Sequence, residues 1–438
     1  MINRRALAGI LIFSMIIASV ADGLWKTALP LNLLWPGGLA AWLAALLLVK
    51  DTPIILRIQV GILLTAGLSL LIYSISEGAT FKVLDIITSN TTMLSMIAAV
   101  GFLRLVAIPG TEIGKVLPVG KSAFIKTLLG VSFFSSFINI SAPLLIADRI
   151  HQQFPIGRLT TQSIIRIFTS VSSWSPFFGA MAVVLTYAPG AELAWIALAG
   201  FPFAMASIGL VSLEGLTRYR KQLAGFVGYP MSARSLVVPV LLVICVVTGS
   251  WLLKDVSTLV IIVLSALTVT TIILSVRNGA RASKNILGLF VIEGLPGIVN
   301  ELILFLSAGV LAAGISGLVS IGLITNPFSE FGVITALKLL GFMIILSAAG
   351  VHPVIQITSF TPLILPLNPD PNLLAVTYLF AWHLGTCSSP LSGTNLVFQG
   401  RYGIPSWKTA IWNWPYSAAM FLIAVFWLQY ITRYFPHS

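Results

Sequence analysis

Long runs without charged residues recur along the whole chain, separated by short polar stretches. A helix needs about 20 apolar residues to cross the hydrocarbon of a bilayer, and most of these runs reach that length. The alternation of apolar and polar positions that is typical of barrel strands is absent. The pattern predicts an all-α integral membrane protein with about 11–13 membrane segments. The runs cover residues 6–21, 27–49, 58–76, 86–103, 127–147, 167–191, 193–213, 235–253, 256–276, 302–329, 339–369, 371–400 and 409–432.

The composition supports a chain embedded in lipid. Hydrophobic residues make up 57% of the 438 residues and charged residues only 9%, whereas a soluble domain carries roughly a quarter charged residues. The net charge of +12 does not indicate nucleic-acid binding, because the lysines and arginines lie between the apolar runs, as in cytoplasmic loops. Cys245 and Cys387 both lie in apolar stretches and fit neither a disulfide framework nor a metal-binding spacing.

The basic loops predict the orientation of the chain. Arg4 and Arg5 precede the first run, which we interpret as a retained first helix with a cytoplasmic N-terminus. The basic loops at 215–234 and 277–284 flank two predicted spans. An even number of crossings places both loops on one side, which the excess of positive charge identifies as the cytoplasm. We therefore expect a multi-pass protein of the cell inner membrane.

Two parts of the chain resemble each other weakly. SPFFGAMAVVLTYAPGAELAW begins at Ser175 and SPLSGTNLVFQGRYGIPSWKT begins at Ser389, and both open with Ser-Pro-x-x-Gly. SSFINISAPLLI (135–146) faces AAGVHPVIQITS (348–359) at nearly the same offset. The common order favours an internal duplication. It predicts four regions: scaffold helices at 1–80, a first repeat at 81–215, a connector with two membrane helices at 216–284 and a second repeat at 285–438.

The segment 285–297 decides the relative orientation of the predicted repeats. Glu293, Gly294, Pro296 and Gly297 interrupt it. If the segment lies along the membrane interface, the second repeat enters the membrane from the opposite side to the first; if the segment crosses, the inversion fails. Inverted repeats with interrupted helices are typical of transporters, which bind substrate near the midplane between the repeats.

The strongest candidate site is the polar stretch SSPLSGTN within an apolar run. A broken helix persists in hydrocarbon only where it lines a cavity, because unpaired backbone groups are costly there. Free N–H groups at the next helix start suit an anion, and free carbonyls with hydroxyl groups suit sodium. The alternative is a kinked helix with small residues at a tight helix contact. The candidate residues are Ser388, Ser389, Ser392, Gly393, Thr394 and Asn395, with an earlier counterpart at Ser172, Ser173, Ser175 and Gly179.

Two further polar positions precede prolines inside apolar runs. Asn139 and Ser141 stand before Pro143, and His352 stands before Pro353 with Thr358 a turn or two later. Polar groups beside a proline suit the tip of a half-helix, so Asn139, Ser141, His352 and Thr358 are candidate binding residues. His352 is either a carrier of the coupling proton or a structural hydrogen-bonding group.

Two other polar residues in or beside these runs have competing interpretations. Arg166 could pair with an anionic substrate, but the sequence favours an interfacial arginine that extends its charge toward the headgroups. His383 precedes the polar stretch, where simple packing explains it equally well.

The sequence argues against an enzyme. No Walker-type phosphate loop, metalloprotease motif or nucleotide fingerprint occurs, and the large polar domain of an ATP-driven pump is missing. A membrane transferase would need acids or histidines that converge at one depth, whereas the acids here are scattered at the ends of the runs. An integral-membrane enzyme and a structural membrane scaffold remain the alternatives to a transporter.

PLSGTNLVFQGRYGI (390–404) resembles the segment that follows the re-entrant hairpin in the ion transporter superfamily. This superfamily includes the divalent anion:sodium symporters, the arsenite permeases and the large membrane subunits of TRAP-type transporters. SSFINISAPLL and AGVHPVIQITSFTPLI are similar to its two polar breaks, and the resemblance spans roughly 86–214 and 298–432. It implies a secondary transporter with two inverted repeats, re-entrant hairpins, a scaffold often used for dimerisation and elevator-like movement.

The chain departs from this family at the breaks themselves. Divalent anion symporters carry Ser-Asn-Thr at both breaks, where this chain has Asn139-Ile140-Ser141 and His352-Pro353. Ser89-Asn90-Thr91 occurs too early in the repeat and is interpreted as a coincidence. The coupling ion is therefore sodium or a proton, and no other cofactor is expected. The expected partners are a small organic or inorganic anion, such as a carboxylate, membrane lipids and a second copy of the chain, but no nucleic acid.

Overall fold

The protein is helical throughout the parts that its computed structural model describes, namely residues 3–25, 32–107, 117–229, 237–324 and 328–434. Within these ranges one antiparallel bridge, between Val119 and Val227, is the only strand-like pairing. The α-helices are α1 (Arg4–Trp25), α2 (Leu34–Leu48), α3 (Ile54–Ser76), α4 (Val83–Thr88), α5 (Thr91–Val100), α6 (Arg104–Ala107), α7 (Lys121–Ile138), α8 (Ser141–His151), α9 (Arg158–Ser170), α10 (Gly179–Tyr187), α11 (Leu193–Thr217), α12 (Arg220–Leu223), α13 (Val237–Leu252), α14 (Thr258–Asn278), α15 (Ala280–Leu289), α16 (Val299–Ser320), α17 (Val333–Ala348), α18 (Pro353–Ile364), α19 (Pro371–Ser388), α20 (Gly393–Tyr402) and α21 (Ser406–Tyr434).

The predicted all-α membrane character is confirmed, while the number of about 11–13 membrane segments stays a prediction. Among the described residues, nine helical stretches are long and apolar enough to cross a bilayer, and three shorter apolar helices accompany them. The nine stretches are Arg4–Trp25, Leu34–Asp51, Ile54–Ser76, Val83–Val106, Lys121–Ile138, Leu193–Thr217, Thr258–Asn278, Ala280–Ser320 and Ser406–Tyr434.

Four of the predicted apolar runs are each divided into two helices. The runs are 127–147, 167–191, 339–369 and 371–400, and a proline lies in each break or in the first turn of the helix that follows it. Proline lacks a backbone N–H and is tolerated in a first turn but not in a helix interior. These prolines therefore explain why the helices stop here. The four breaks are Asn139–Ile140, Trp174–Phe178, Ala349–His352 and Ser389–Ser392.

The chain forms two compact units, each built from separate stretches of sequence. The first unit comprises 1–108, 236–327 and 358–366, and the second comprises 109–235, 328–357 and 367–438. All four breaks belong to the second unit. The predicted repeats do not coincide with these units, because each unit draws on both halves of the chain.

Glycines bring two helices of the first unit into backbone contact. A Cβ atom added at Gly67 of α3 would lie 2.7 Å from the amide nitrogen of Leu311 in α16, and one added at Gly314 would lie 2.6 Å from the carbonyl oxygen of Gly67. Contacts this close require residues without a side chain, as is common between membrane helices. The α3–α16 pair is the most extensive helix contact in this unit.

The first unit also contains an interruption at Ser89–Asn90, between α4 and α5. Asn90 adopts a left-handed backbone conformation, with φ of 66°. Its Nδ2 atom donates to the carbonyl oxygen of Phe305 at 2.8 Å, opposite Gly309 in the middle of α16. The Ser89-Asn90-Thr91 triplet is therefore a structural break in the first unit, separate from the four breaks of the second.

The segment 285–297 forms part of a continuous helical stretch from Ala280 to Ser320. A π-helical turn at Phe290–Gly294 and a 3-10 turn at Leu295–Ile298 interrupt its regular winding. Gly9 of α1 packs against the carbonyl oxygen of Val291 in the π turn. Most residues of α15 are exposed, and its position along the interface stays a prediction.

Two series of helices, which lie in the second unit except for residues 358–364 of α18, repeat one order of elements. A helix, a break, a short helix, another helix, a second break, a second short helix and a long helix follow each other twice. The first series runs from α7 to α11 and the second from α17 to α21. The offset between the two series matches that between Ser175 and Ser389 in the sequence, since α10 begins at residue 179 and α20 at residue 393. This order agrees with the predicted duplication, while the opposite orientation of the two series stays a prediction.

Candidate functional site

The two breaks of the first series contact each other. Asn139, at the tip between α7 and α8, donates from Nδ2 to the carbonyl oxygen of Phe177 at 3.2 Å. Ser175 donates from its hydroxyl to the carbonyl oxygen of Ser136. Asn139 has a φ of 49° and a ψ of −138°, which lies outside the left-handed helical region that asparagine commonly adopts. The backbone groups released by one break are thus partly satisfied by side chains of the other.

The breaks of the second series also lie close together, through packing at two glycines. Gly350 has a φ of +101°, and a Cβ atom placed there would lie 2.9 Å from Cδ1 of Leu391. One turn before the second break, a Cβ atom at Gly385 would overlap the hydroxyl oxygen of Ser347. Glycines therefore allow the two breaks of the second series to approach closely.

The side chain of Asn395 places a buried hydrogen-bond acceptor beside the last break. Its Nδ2 atom donates to the carbonyl oxygen of Ser389 at 2.7 Å and lies 3.5 Å from that of Cys387. Its backbone N–H donates to the hydroxyl of Ser392 at 3.3 Å, so Ser392 is the N-cap of α20. Its Oδ1 atom is fully buried and has no hydrogen-bond partner among the described residues. A buried acceptor without a partner is costly unless a ligand or water occupies it.

The other polar residues of this stretch are mostly bonded internally. The hydroxyls of Ser388 and Ser417 lie 2.6 Å apart, and Ser389 accepts from the N–H of Leu391 at 3.3 Å. Thr394 is buried, whereas Gly393 is exposed. The hydroxyl of Thr386, one turn earlier, is buried without a partner in the part of the chain that the structure describes.

The polar stretch at 172–175 contacts α19, the helix that precedes the last break. Ser173 lies 3.3 Å from Nδ1 of His383, and Nε2 of His383 lies 2.9 Å from the hydroxyl of Tyr416. His383 is fully buried. Ser172 instead donates to the carbonyl oxygen of Thr169 at 2.7 Å within its own turn. Packing alone therefore does not account for His383, which joins the first series to the second.

The remaining predicted site residues divide between the two units. Ser141 is the first residue of α8, and Gly179 is the first residue of α10. Both belong to the second unit with the serines, Asn139 and Asn395. Thr358 belongs to the first compact unit, so the structure does not bring it into the same unit as the other candidates.

His352 uses one ring nitrogen to cap a helix. Its Nδ1 atom accepts from the backbone N–H of Val354 at 3.2 Å, at the start of α18. Its ring packs perpendicular to that of Trp382, with the centroids 5.5 Å apart. An Nδ1 atom that accepts a hydrogen bond carries no proton, which favours the structural interpretation over proton transfer.

In a chain that transports an anion, as the sequence predicts, His352→Asn should leave the pH profile of transport unchanged, because the asparagine side chain can accept the same N–H. His352→Leu removes the acceptor and should lower the free energy of unfolding by about 0.5–2 kcal/mol. Uptake between pH 5.5 and 8.5 and the melting temperature are measured for both variants. A shifted pH profile in a well-folded His352→Asn protein would instead identify a proton carrier.

Arg166 is the functional candidate that the sequence placed wrongly. The residue is 2% exposed, so the interfacial interpretation is wrong. It forms an ion pair with Glu214, donates from Nε to Oδ1 of Asn413 at 2.8 Å and donates from Nη2 to the carbonyl oxygen of Trp412 at 3.0 Å. The sequence feature that could have indicated a buried arginine was the high polar content of α9, which reads RLTTQSIIRIFTS.

No protein-family model matches the chain, and no curated protein is significantly similar to it in sequence. The function is therefore inferred from the second unit. Its breaks combine helix N-termini, buried hydroxyls and an amide oxygen that has no partner within the described parts of the chain. Such groups can hold a small ligand through neutral donors and acceptors.

Proposed function

We propose that the chain is a secondary active transporter that moves a small organic or inorganic anion across the inner membrane. A carboxylate is the substrate class that we favour. The observation that supports this most directly is that the helix breaks are paired within each series. Beside the last break, the buried Oδ1 atom of Asn395 has no partner among the described residues.

The short helices at the breaks support an internal cavity. α8, α10, α18 and α20 contain 11, 9, 12 and 10 residues. At about 1.5 Å per residue, none of them covers the roughly 30 Å thickness of the hydrocarbon alone. Ends of this kind persist inside a membrane only where they line a cavity or contact protein groups. We propose that they form re-entrant hairpins around the substrate.

The helix starts favour an anion as substrate. α10 and α20 both begin directly after a break, where N–H groups and the positive end of the helix dipole are available. α20 is capped by Ser392, whereas Phe178 provides no side-chain cap for α10. In α10 the N–H of Met181 donates to the carbonyl oxygen of Phe178 at 2.9 Å instead, so we propose that the N–H groups of the first two residues of both helices face the anion.

Sodium is the coupling ion that the acceptor groups favour, with a proton as the alternative. Oδ1 of Asn395 and the hydroxyl of Thr386 are buried oxygen atoms that have no partner among the described residues. Oxygen ligands of this kind suit a small hard cation. In this proposal the symporter binds cation and anion together, and two inverted repeats carry the site across by an elevator-like movement. The N-terminus is cytoplasmic, and the transporter is a homodimer in contact with membrane lipids.

Uptake into proteoliposomes tests this proposal. The purified protein is supplied with labelled mono-, di- and tricarboxylates and inorganic anions, with an imposed sodium gradient, a proton gradient, both or neither. We expect accumulation of one class of anion only when a gradient is present. A protein with an intact melting transition that neither binds nor transports any of these anions would rule the proposal out.

A further inference from the structure

A chain of buried polar contacts leads from Arg166 to the last break. Arg166 lies on α9, its contacts Glu214 and Asn413 lie on α11 and α21, and the guanidinium carbon is 4.8 Å from the ring centroid of Tyr416. All these residues belong to the second unit. A guanidinium bonded in three directions at 2% exposure is fixed in position, because any rotation would leave a buried charge without partners.

The arginine determines the orientation of the Asn413 side chain. Nε of Arg166 can only donate, so the atom of Asn413 that lies 2.8 Å away must be the amide oxygen. The amide nitrogen consequently points in the other direction, where it donates to the carbonyl oxygen of Cys387 at 3.3 Å. A rotated amide would place two donors against each other. Because Asn413 accepts from the buried cation, its amide nitrogen is held in the direction of the Cys387 carbonyl.

The Cys387 carbonyl is shared with the proposed site. It lies in the last turn of α19, where carbonyl groups have no partner within the helix. Nδ2 of Asn395 approaches the same oxygen at 3.5 Å while it donates to the Ser389 carbonyl at 2.7 Å. These two carbonyls hold the amide nitrogen of Asn395 and direct its Oδ1 atom away from α19.

We propose that Arg166 and Asn413 are positioning residues, which fix the end of α19 so that the Asn395 oxygen faces the ligand. This inference rests on the proposed function for its ligand, but the contacts concern the protein alone. Arg166 does not bind the substrate in this arrangement, because it is already paired with Glu214. Its charge acts on the site through Asn413 and Cys387.

Substitutions at Asn413 distinguish positioning from simple stabilisation. Asn413→Asp keeps an acceptor for Arg166 but replaces the donor to Cys387 with an oxygen. We expect this variant to melt near the wild-type temperature and to bind sodium, the ion that we propose at the Asn395 oxygen, about tenfold more weakly, as Asn413→Ala should. Wild-type affinity in a stable Asn413→Asp protein would overturn the proposal.

A double-variant cycle tests whether Asn413 acts through Asn395. If it does, the combined Asn413→Ala and Asn395→Ala protein should bind no more weakly than Asn395→Ala alone. Effects that multiply would overturn the proposal. Gln162→Leu is the matched control, since Gln162 donates to the Trp412 carbonyl at 2.8 Å, as Arg166 does, but its hydrogen bonds among the described residues do not reach the last break. It should lower stability without changing affinity.

Hydrogen exchange separates this proposal from the transporter proposal. In Asn413→Ala and Asn413→Asp, amides of 388–398 should exchange about tenfold faster than in wild type without any ligand, while Gln162→Leu should show wild-type exchange there. Unchanged exchange in both Asn413 variants would overturn the positioning role, whatever the transport result. Faster exchange in a protein that transports no anion would support positioning and rule out the proposed function alone.

Discussion

Asn395→Ala is expected to weaken the binding of substrate or coupling ion by about 5- to 150-fold. The loss of a hydrogen bond in a desolvated site costs roughly 1–3 kcal/mol, and each tenfold change in affinity corresponds to about 1.4 kcal/mol. Oδ1 of Asn395 is the atom concerned, because it has no partner among the described residues whereas Nδ2 is bonded to Ser389. Affinity and melting temperature are measured on the same purified protein.

Asn372→Ala provides the control for this prediction. Asn372 is also a buried asparagine of the second unit, but it lies at the opposite end of α19 and accepts from the N–H of Glu192 at 2.7 Å. Its replacement should lower the melting temperature and leave affinity unchanged. If Asn395 served only helix packing, Asn395→Ala would behave in the same way, and unchanged affinity would exclude the binding role.

Gly200→Ala is expected to destabilise the second unit and, if the proposed function is right, to abolish transport. A Cβ atom at Gly200 of α11 would overlap the carbonyl oxygen of Ser173, directly before the Trp174–Phe178 break. Overpacking in a well-packed core costs typically 1–3 kcal/mol, and a backbone atom can yield less than a side chain. The helix must therefore move away from the break and displace Ser173 from His383. Uptake and thermal unfolding report both effects.

Gly209→Ala tests the same change on the same helix without the contact. Gly209 is exposed, and nothing lies within 4 Å of an added Cβ atom. Alanine should be neutral or stabilise the helix by up to about 1 kcal/mol. Equal behaviour of the two variants would show that the approach of α11 to Ser173 is not needed for function.

The positions of the helices could be predicted because lipid imposes a simple requirement. A spanning helix must be apolar for about 20 residues, and interruptions need proline, glycine or polar side chains that satisfy the released backbone groups. The polar stretches with Pro176 and Pro390 met these criteria, and helices are interrupted at both. The predicted site residues around them remain predictions as regards binding.

Long-range pairing could not be predicted from one sequence. Glu214 and Asn413 lie 48 and 247 positions from Arg166, and no local pattern indicates that these residues meet. The same limit applies to glycines, because the chain has 36 of them and only the neighbouring helix determines which ones need to lack a side chain. Gly200 and Gly209, nine residues apart on one helix, have opposite surroundings.

The four breaks contain no aspartate, glutamate, lysine or arginine. In the proposed site, no side chain of these four types in the breaks then adds its charge to that of the ligands. An uncompensated ion in a low-dielectric medium carries a desolvation penalty of several kcal/mol. In the proposed transporter, an anion without its full complement of cations would meet that penalty during translocation, whereas the empty and the fully loaded site would not. Strict stoichiometry between substrate and ion would follow from electrostatics, without a dedicated gate that checks for occupancy.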